Sequence, residues 1–292
     1  MSSSSSPDNL RAAIAAALFI FFWASGFVAA KYGFPYAEPF TFLGLRYVIG
    51  SAVLVPLCLI WKATWPKTGR DIGHIILAGT MVQSFYLVGV YYGIYLGIST
   101  GVVALVMGLQ PLLTAALAGL ALAERVTARQ WFGLALGFAG LGLVVADKTT
   151  TAGASAGAFA ITAFGLISIT VGTLYQKRFC ATFDIRSSVA IQNIAGIVLM
   201  SVFATMFETM TVRWTGEFLF ALLWSALGLS VIALTLYYWL VRRGAASKVT
   251  SLIYLSPPVT AVMGWLAFNE TLGLGAIAGM AIVATGVALA TR

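Results

Sequence analysis

Charge is scarce in this sequence. Only 9% of its 292 residues are Asp, Glu, Lys or Arg, where a soluble domain carries about a quarter. Such a chain could not keep a water-facing surface, so a soluble globular fold is excluded. Carboxylates are scarcer still inside the long apolar runs: none lies near the centre of any of them. Intramembrane carboxylates are the usual proton relays and the usual partners of buried cations. Their absence gives no support to obligate proton coupling through such a group, nor to a pocket built for polyamine or quaternary-cation drugs. The single histidine, His74, has no cluster of Cys, His and carboxylate ligands beside it, and H-E-x-x-H spacing does not occur. A metal-dependent or Ser-His hydrolase is therefore not expected, and neither is a cofactor. The two cysteines, Cys58 and Cys180, both fall near the expected cytoplasmic side, where a disulfide does not persist.

What remains is apolar. Hydrophobic residues make up 60% of the chain and the mean hydropathy is +0.96. Runs near 20 residues recur along its whole length, each long enough to cross a bilayer core of about 30 Å. The pattern predicts an all-α polytopic membrane protein with ten transmembrane helices, over 10–31, 39–61, 72–95, 98–122, 128–146, 155–177, 187–207, 216–240, 246–268 and 272–291. Residues 1–9, "MSSSSSPDN", read as a disordered tail. The run after them is too long for a signal-peptide core and is taken as the first span. With the N-terminus placed in the cytoplasm, 13 of the 17 Lys and Arg residues fall inside and 3 outside, with Arg46 within span two. That bias predicts both termini in the cytoplasm. The net charge of +8 then needs no nucleic-acid partner, and anionic lipid is its natural counterpart.

A shift of 146 residues lays the chain on itself without a gap. Gly26 meets Gly172, Lys31 meets Lys177, Gly50 meets Gly196, Tyr91 and Tyr92 meet Tyr237 and Tyr238, Pro111 meets Pro257, and Glu124 meets Glu270. The halves are 10–146 and 147–292, each with five spans. An odd number inverts the second half relative to the first. Inverted repeats are typical of secondary transporters, which hold substrate near the midplane between the halves.

The stretches "WASGFVAAKYG", "FLGLRYVIG", "LQPLLTAALAGLALAE" and "LSPPVTAVMGWLAFNE" resemble the EamA repeats of the drug/metabolite transporter superfamily, over essentially the whole chain. Within it the chain is most similar to the YddG-type amino acid exporters. The resemblance implies ten helices, a cavity lined mainly by spans one, three, four, six, eight and nine, and export of aromatic and other neutral amino acids by alternating access. An organic-cation exporter of the same superfamily is the alternative, followed by a membrane scaffold that transports nothing. Gln110 stands where an aromatic would suit an aromatic substrate, which argues against a strictly aromatic preference.

The candidate substrate contacts are of three kinds. Trp23 lies mid-span, too deep for an interfacial belt; it is either a stacking wall or a packing residue. Gln83 and Tyr86 share a face of span three, and with Gln110 they are polar groups at depth. They either meet substrate or bridge helices. Pro111 in span four and Pro257 in span nine sit at matching depths, preceded by Gln110 and Ser256. Each proline removes a backbone bond to the residue four earlier, which frees the carbonyl of Met107 in span four and, with Pro258, those of Ile253 and Tyr254 in span nine. The other reading is a plain kink.

Gating candidates lie towards the ends. Tyr91 and Tyr92 near one end, and Tyr237 and Tyr238 near the other, read either as belt residues, which is preferred, or as paired gates. Lys31 with Glu270 outside, and Lys177 with Glu124 inside, could form one ion pair per face; the preferred alternative has the glutamates capping the helices after them. Arg46, about two turns into span two, is read first as a structural anchor and second as a functional charge. Small-xxx-small spacing at Gly133/Gly137 and Gly275/Gly279 marks close packing within one chain or between two, so monomer and homodimer both remain open.

If the halves are inverted, reporter tags at the two ends of the chain will both be accessible only from the cytoplasmic side. Tags on opposite sides would overturn the topology.

Overall fold

The computed structural model describes residues 7–121, 127–151, 155–233, 236, 255–270 and 273–291. The first half comprises α1 (Pro7–Gly33), α2 (Pro39–Ile60), α3 (Gly69–Gly79), a π-helical segment (Thr80–Phe85), α4 (Tyr86–Tyr95), α5 (Thr100–Met107), α6 (Gln110–Ala121) and α7 (Ala128–Thr151). The second comprises α8 (Ala156–Phe179), α9 (Ile185–Phe207), α10 (Gly216–Leu223), a second π-helical segment (Trp224–Ala233), α11 (Ser256–Phe268) and α12 (Leu274–Thr291). Helix occurs in each of the ten expected segments. By length and composition, five helical stretches suffice to cross a membrane: Ile14–Gly33, Pro39–Ile60, Gly69–Tyr95, Ala156–Phe179 and Ile185–Phe207. The apolar stretches Thr100–Thr114, Trp131–Val144, Gly216–Leu229 and Leu274–Gly286 are shorter among the described residues.

Starts of helices obey local chemistry. Pro39 opens α2 where a missing N–H costs nothing. Thr68, Ser155 and Thr215 accept the orphan N–H of Asp71, Ala158 and Phe218.

Two helices of the first half, α2 and α7, pair with their counterparts 146 residues away, and they do so antiparallel. The start of α2 meets the end of α9: Glu208 accepts the N–H of Phe40 at 2.7 Å and of Thr41 at 2.8 Å. At the other end, Asp184 accepts the N–H of Thr64 at 3.0 Å, and Arg186 donates to the Trp61 carbonyl. Arg186 holds the Asp184 carboxyl well below the usual carboxylate range. Likewise α7 runs against α12. A Cβ on Gly140 would stand 2.6 Å from the Gly279 carbonyl oxygen, and one on Gly286 2.5 Å from that of Gly133. The small residues therefore serve contact within one chain.

Two irregularities also come in symmetric pairs. Span four breaks at Gly108–Leu109, just before Gln110–Pro111, and α11 begins after a turn at Leu255, the counterpart of Leu109. The π-helical segments occupy equivalent places in spans three and eight. Each lies against the other repeat: Gly26 of α1 abuts Leu229 in the second, and Gly172 of α8 abuts Met81 and Val82 in the first. Added Cβ atoms there would stand 2.9 Å from Leu229 and 2.6 Å from Met81.

Two faces result. One carries Tyr36, Glu208, Arg213 and Glu270; the other carries Trp61, Asp184 and Arg186. They are called the Glu270 face and the Asp184 face.

Replacing Gly140 by Leu must push α7 off α12. Overpacking of this kind costs about 1–3 kcal/mol, so the thermal denaturation midpoint in detergent is expected to fall by several degrees. The exposed Gly142, with open space around it, should tolerate Ala with a much smaller change.

Candidate functional site

Between the two halves lies a cavity of about 340 Å³. Its walls come from both repeats: Trp23 and Phe27 of α1, Arg46 and Leu54 of α2, Gln83 of the first π-helical segment, Tyr86 and Tyr91 of α4, Gln176 of α8, Gln192 and Asn193 of α9, and Leu229 of the second π-helical segment. No carboxylate is among the described residues that line it, and Arg46 is the one charged side chain among them.

The polar groups are held in place by their neighbours. Gln83 Nε2 donates to Gln192 Oε1 at 2.7 Å, joining span three to span seven across the repeat boundary. Arg46 Nη1 donates to the Tyr91 hydroxyl at 2.8 Å. Tyr91 is 1% exposed, its ring 5.5 Å from that of Phe34 and 5.8 Å from that of Phe42. A belt residue would face the lipid interface; Tyr91 faces the protein interior. Its neighbour Tyr92 donates to Glu208 Oε1 at 2.8 Å and packs 4.6 Å from the Phe40 ring. Polar partners inside the fold thus claim both side chains.

Beyond Tyr91, towards the Glu270 face, lies a layer of rings. Phe34, Phe42, Tyr36 and Phe218 contact one another at 5.8–6.4 Å. Next to them Lys31 Nζ sits 2.6 Å from Glu270 Oε1. Glu270 also accepts the Thr100 N–H, at 3.1 and 3.0 Å from its two oxygens, and the Thr100 hydroxyl at 2.8 Å. Ion pair and helix cap are therefore not alternatives, because one carboxylate has two oxygens and serves both. The helix it caps is α5, in the other repeat, rather than the next one along the chain.

The other candidates are distributed as follows. Trp23, Gln83 and Tyr86 line the cavity. Met107, Gln110, Pro111, Ser256 and Pro257 are not among the described residues that do. The break in span four turns instead toward α8 and α11. Gln110 Nε2 donates to Thr173 Oγ1 at 3.3 Å, and a Cβ on Gly108 would stand 3.3 Å from Pro257. Lys177 is exposed near the end of α8. Ile253, Tyr254, Tyr237, Tyr238 and Glu124 lie outside the described residues. Among the described residues, spans two and seven also supply walls, which the resemblance did not assign to them.

Sequence reasoning misses Gln176, Gln192, Asn193 and Glu208 as contacts and reads Arg46 first as an anchor. The repeat shift holds a signal for some of them: it pairs Arg46 with Gln192 and Tyr47 with Asn193. Glu208 comes after the apolar run of span seven and has no counterpart of its own type; only the approach of α2 gives it a role.

A model of the EamA-like transporter family matches residues 10–146 and again residues 156–292. The uncharacterized transporter YvbV of Bacillus subtilis is 27% identical over 96% of this chain and 91% of its own length. The uncharacterized inner membrane transporter YedA of Escherichia coli K12 is 24% identical over 92% and 87%. A solved crystal structure at 18% identity superposes with a TM-score of 0.65, covering 96% of each chain, which speaks for the fold alone. With matches to both halves of the chain, and a helical fold in which the halves enclose one cavity, this protein is a multi-pass membrane protein belonging to the EamA-like transporter family.

Proposed function

We propose that the chain is a secondary transporter that exports neutral amino acids, aromatic ones among them, across the bacterial cytoplasmic membrane by alternating access. The observation that carries this reading is the cavity: walled by both repeats, faced with aromatic rings and amides, and free of carboxylates along its described lining. Its volume of about 340 Å³ falls within the usual range for small-molecule sites, about 300–1,000 Å³. Trp23, Phe27 and Tyr86 offer faces to an apolar side chain or to an ammonium group. Gln83, Gln192 and Asn193 offer amide donors and acceptors. A cationic drug would find no countercharge along that lining and would meet Arg46, a like charge, which disfavours the organic-cation alternative.

The charge bias of the loops puts the Asp184 face, and both termini, in the cytoplasm. The ring layer and the Lys31–Glu270 pair then form the closed outer end. Opening that end requires Lys31 to leave Glu270, and the pair acts as the outer latch. Its counterpart inside would be Lys177 with Glu124. The chain works as a monomer or homodimer in lipid and needs no cofactor or metal.

Counterflow in liposomes tests the substrate class. A panel of neutral amino acids is expected to compete with a radiolabelled neutral amino acid, and quaternary ammonium compounds are not. The reverse order would overturn the reading in favour of the cation exporter, and no counterflow with any amino acid or cation would favour the scaffold. A second experiment tests the latch. Cross-linking Lys31→Cys to Glu270→Cys is expected to stop transport, with reduction restoring it. Undiminished flux in fully cross-linked protein would show that this pair does not separate during the cycle.

A further inference from the structure

We infer that Arg46 is the substrate's carboxylate anchor, a specificity-determining residue that makes a free carboxylate the required feature of whatever this cavity carries. The inference deepens the amino acid reading above and rests on it for the rest of the ligand, but its chemistry is separable.

Three observations converge on this residue. First, the guanidinium lines the cavity, about two turns from the Pro39 end of α2. A charge at such depth in a membrane protein is costly unless it is paired or solvated. Among the described residues no carboxylate pairs with it. Its hydrogen-bond partner is the Tyr91 hydroxyl, which takes one of the five donors a guanidinium carries.

Second, a structural anchor has no need of charge at this place. The counterpart of Arg46 in the second repeat is Gln192. It occupies the equivalent position on α9, lines the same cavity, and packs the same fold with a neutral amide. The next residues extend the comparison: a Cβ on Gly196 would stand 2.8 Å from the Tyr47 ring, and one on Gly50 3.1 Å from Asn193. Tyr47 and Asn193 are themselves counterparts, as are Gly50 and Gly196. Helix packing is thus met symmetrically while the charge is not. The cation serves something the symmetry of the scaffold does not require.

Third, Tyr91 fixes the direction of the guanidinium. Its ring is locked between Phe34 and Phe42, so its hydroxyl is a stationary acceptor. Holding Nη1 there leaves the other donors for a planar, two-oxygen acceptor, the geometry in which Arg surpasses Lys. Tyr91 is the positioning residue. An anion drawn to Arg46 therefore sits beside the ring layer that holds Tyr91.

The experiment compares each substrate amino acid with its methyl ester and its primary amide, both of which keep the side chain and ammonium but lose the anion. Competition for counterflow is measured for wild type, Arg46→Gln, Arg46→Lys and Tyr91→Phe in liposomes. Wild type is expected to prefer the free acid by about 10- to 100-fold, the range for a charge-assisted hydrogen bond. In Arg46→Gln the apparent affinity for the acid should fall to that of the amide, while that for the amide stays put. Arg46→Lys should recover part of the preference. Tyr91→Phe should weaken the acid a few-fold with little effect on the amide, a selectivity change that loss of packing alone would not produce.

Equal competition by acid and ester in the wild type would overturn the inference, whether or not any variant folds. So would an intact acid preference in Arg46→Gln. If amino acids fail altogether but simple aromatic carboxylates drive counterflow and lose it in Arg46→Gln, the amino acid reading falls and the carboxylate anchor stands.

Discussion

In a bilayer, every backbone N–H and C=O must be satisfied within the protein, because no solvent is there to do it. The architecture derives from that constraint. Regular helix meets it segment by segment, and most of the described chain is regular helix. The departures from regularity are few, and the opposite repeat lies against them. The π-helical turns of spans three and eight each lie under a glycine of the other half, Gly172 and Gly26. The break at Gly108 lies close to Pro257 of the facing span. Neither half would be well packed alone at these points.

The scaffold that results is symmetric, and the cavity inside it is not. Counterpart helices cross antiparallel with the same small residues at the same contacts, as at Gly140 with Gly279 and Gly133 with Gly286. Along the cavity the same shift pairs Trp23 with Ile169, Arg46 with Gln192 and Gln83 with Leu229. The first repeat supplies the indole, the charge and an amide; the second supplies neutral or apolar substitutes. Symmetry gives two related ways to pack the halves, which alternating access needs. The lining departs from that symmetry while the packing keeps it.

The Lys31–Glu270–Thr100 contact joins the two repeats through one carboxylate. Lys31 is about a third exposed but Glu270 only 8%, so the pair is half-buried and desolvation offsets part of its attraction. Capping Thr100 adds about 1 kcal/mol. These contacts tie the end of α1 and the segment after α11 to the start of α5, joining the two repeats at this face. The aromatic layer beneath it contributes through area rather than through any one bond.

Composition and repeat spacing determined the class of molecule: apolar runs of membrane length, the loop charge bias, and a shift of 146 residues that an odd number of spans turns into inversion. They located Trp23, Gln83 and Tyr86 as inward groups, since an amide or indole facing hydrocarbon is costly. Tertiary structure alone decided which groups meet. It placed Tyr91 against Arg46 rather than at the lipid interface, set Glu270 to cap a helix of the other repeat, brought Glu208 to the start of α2, and put π-helical turns where the sequence reads as ordinary helix. The reason is physical. Burial preference is a property of a residue and its near neighbours along the chain. Hydrogen-bond partners separated by 45 to 239 positions depend on how far one helix slides along another, and that is fixed by the close approach of backbones at glycines whose partners no local pattern reveals.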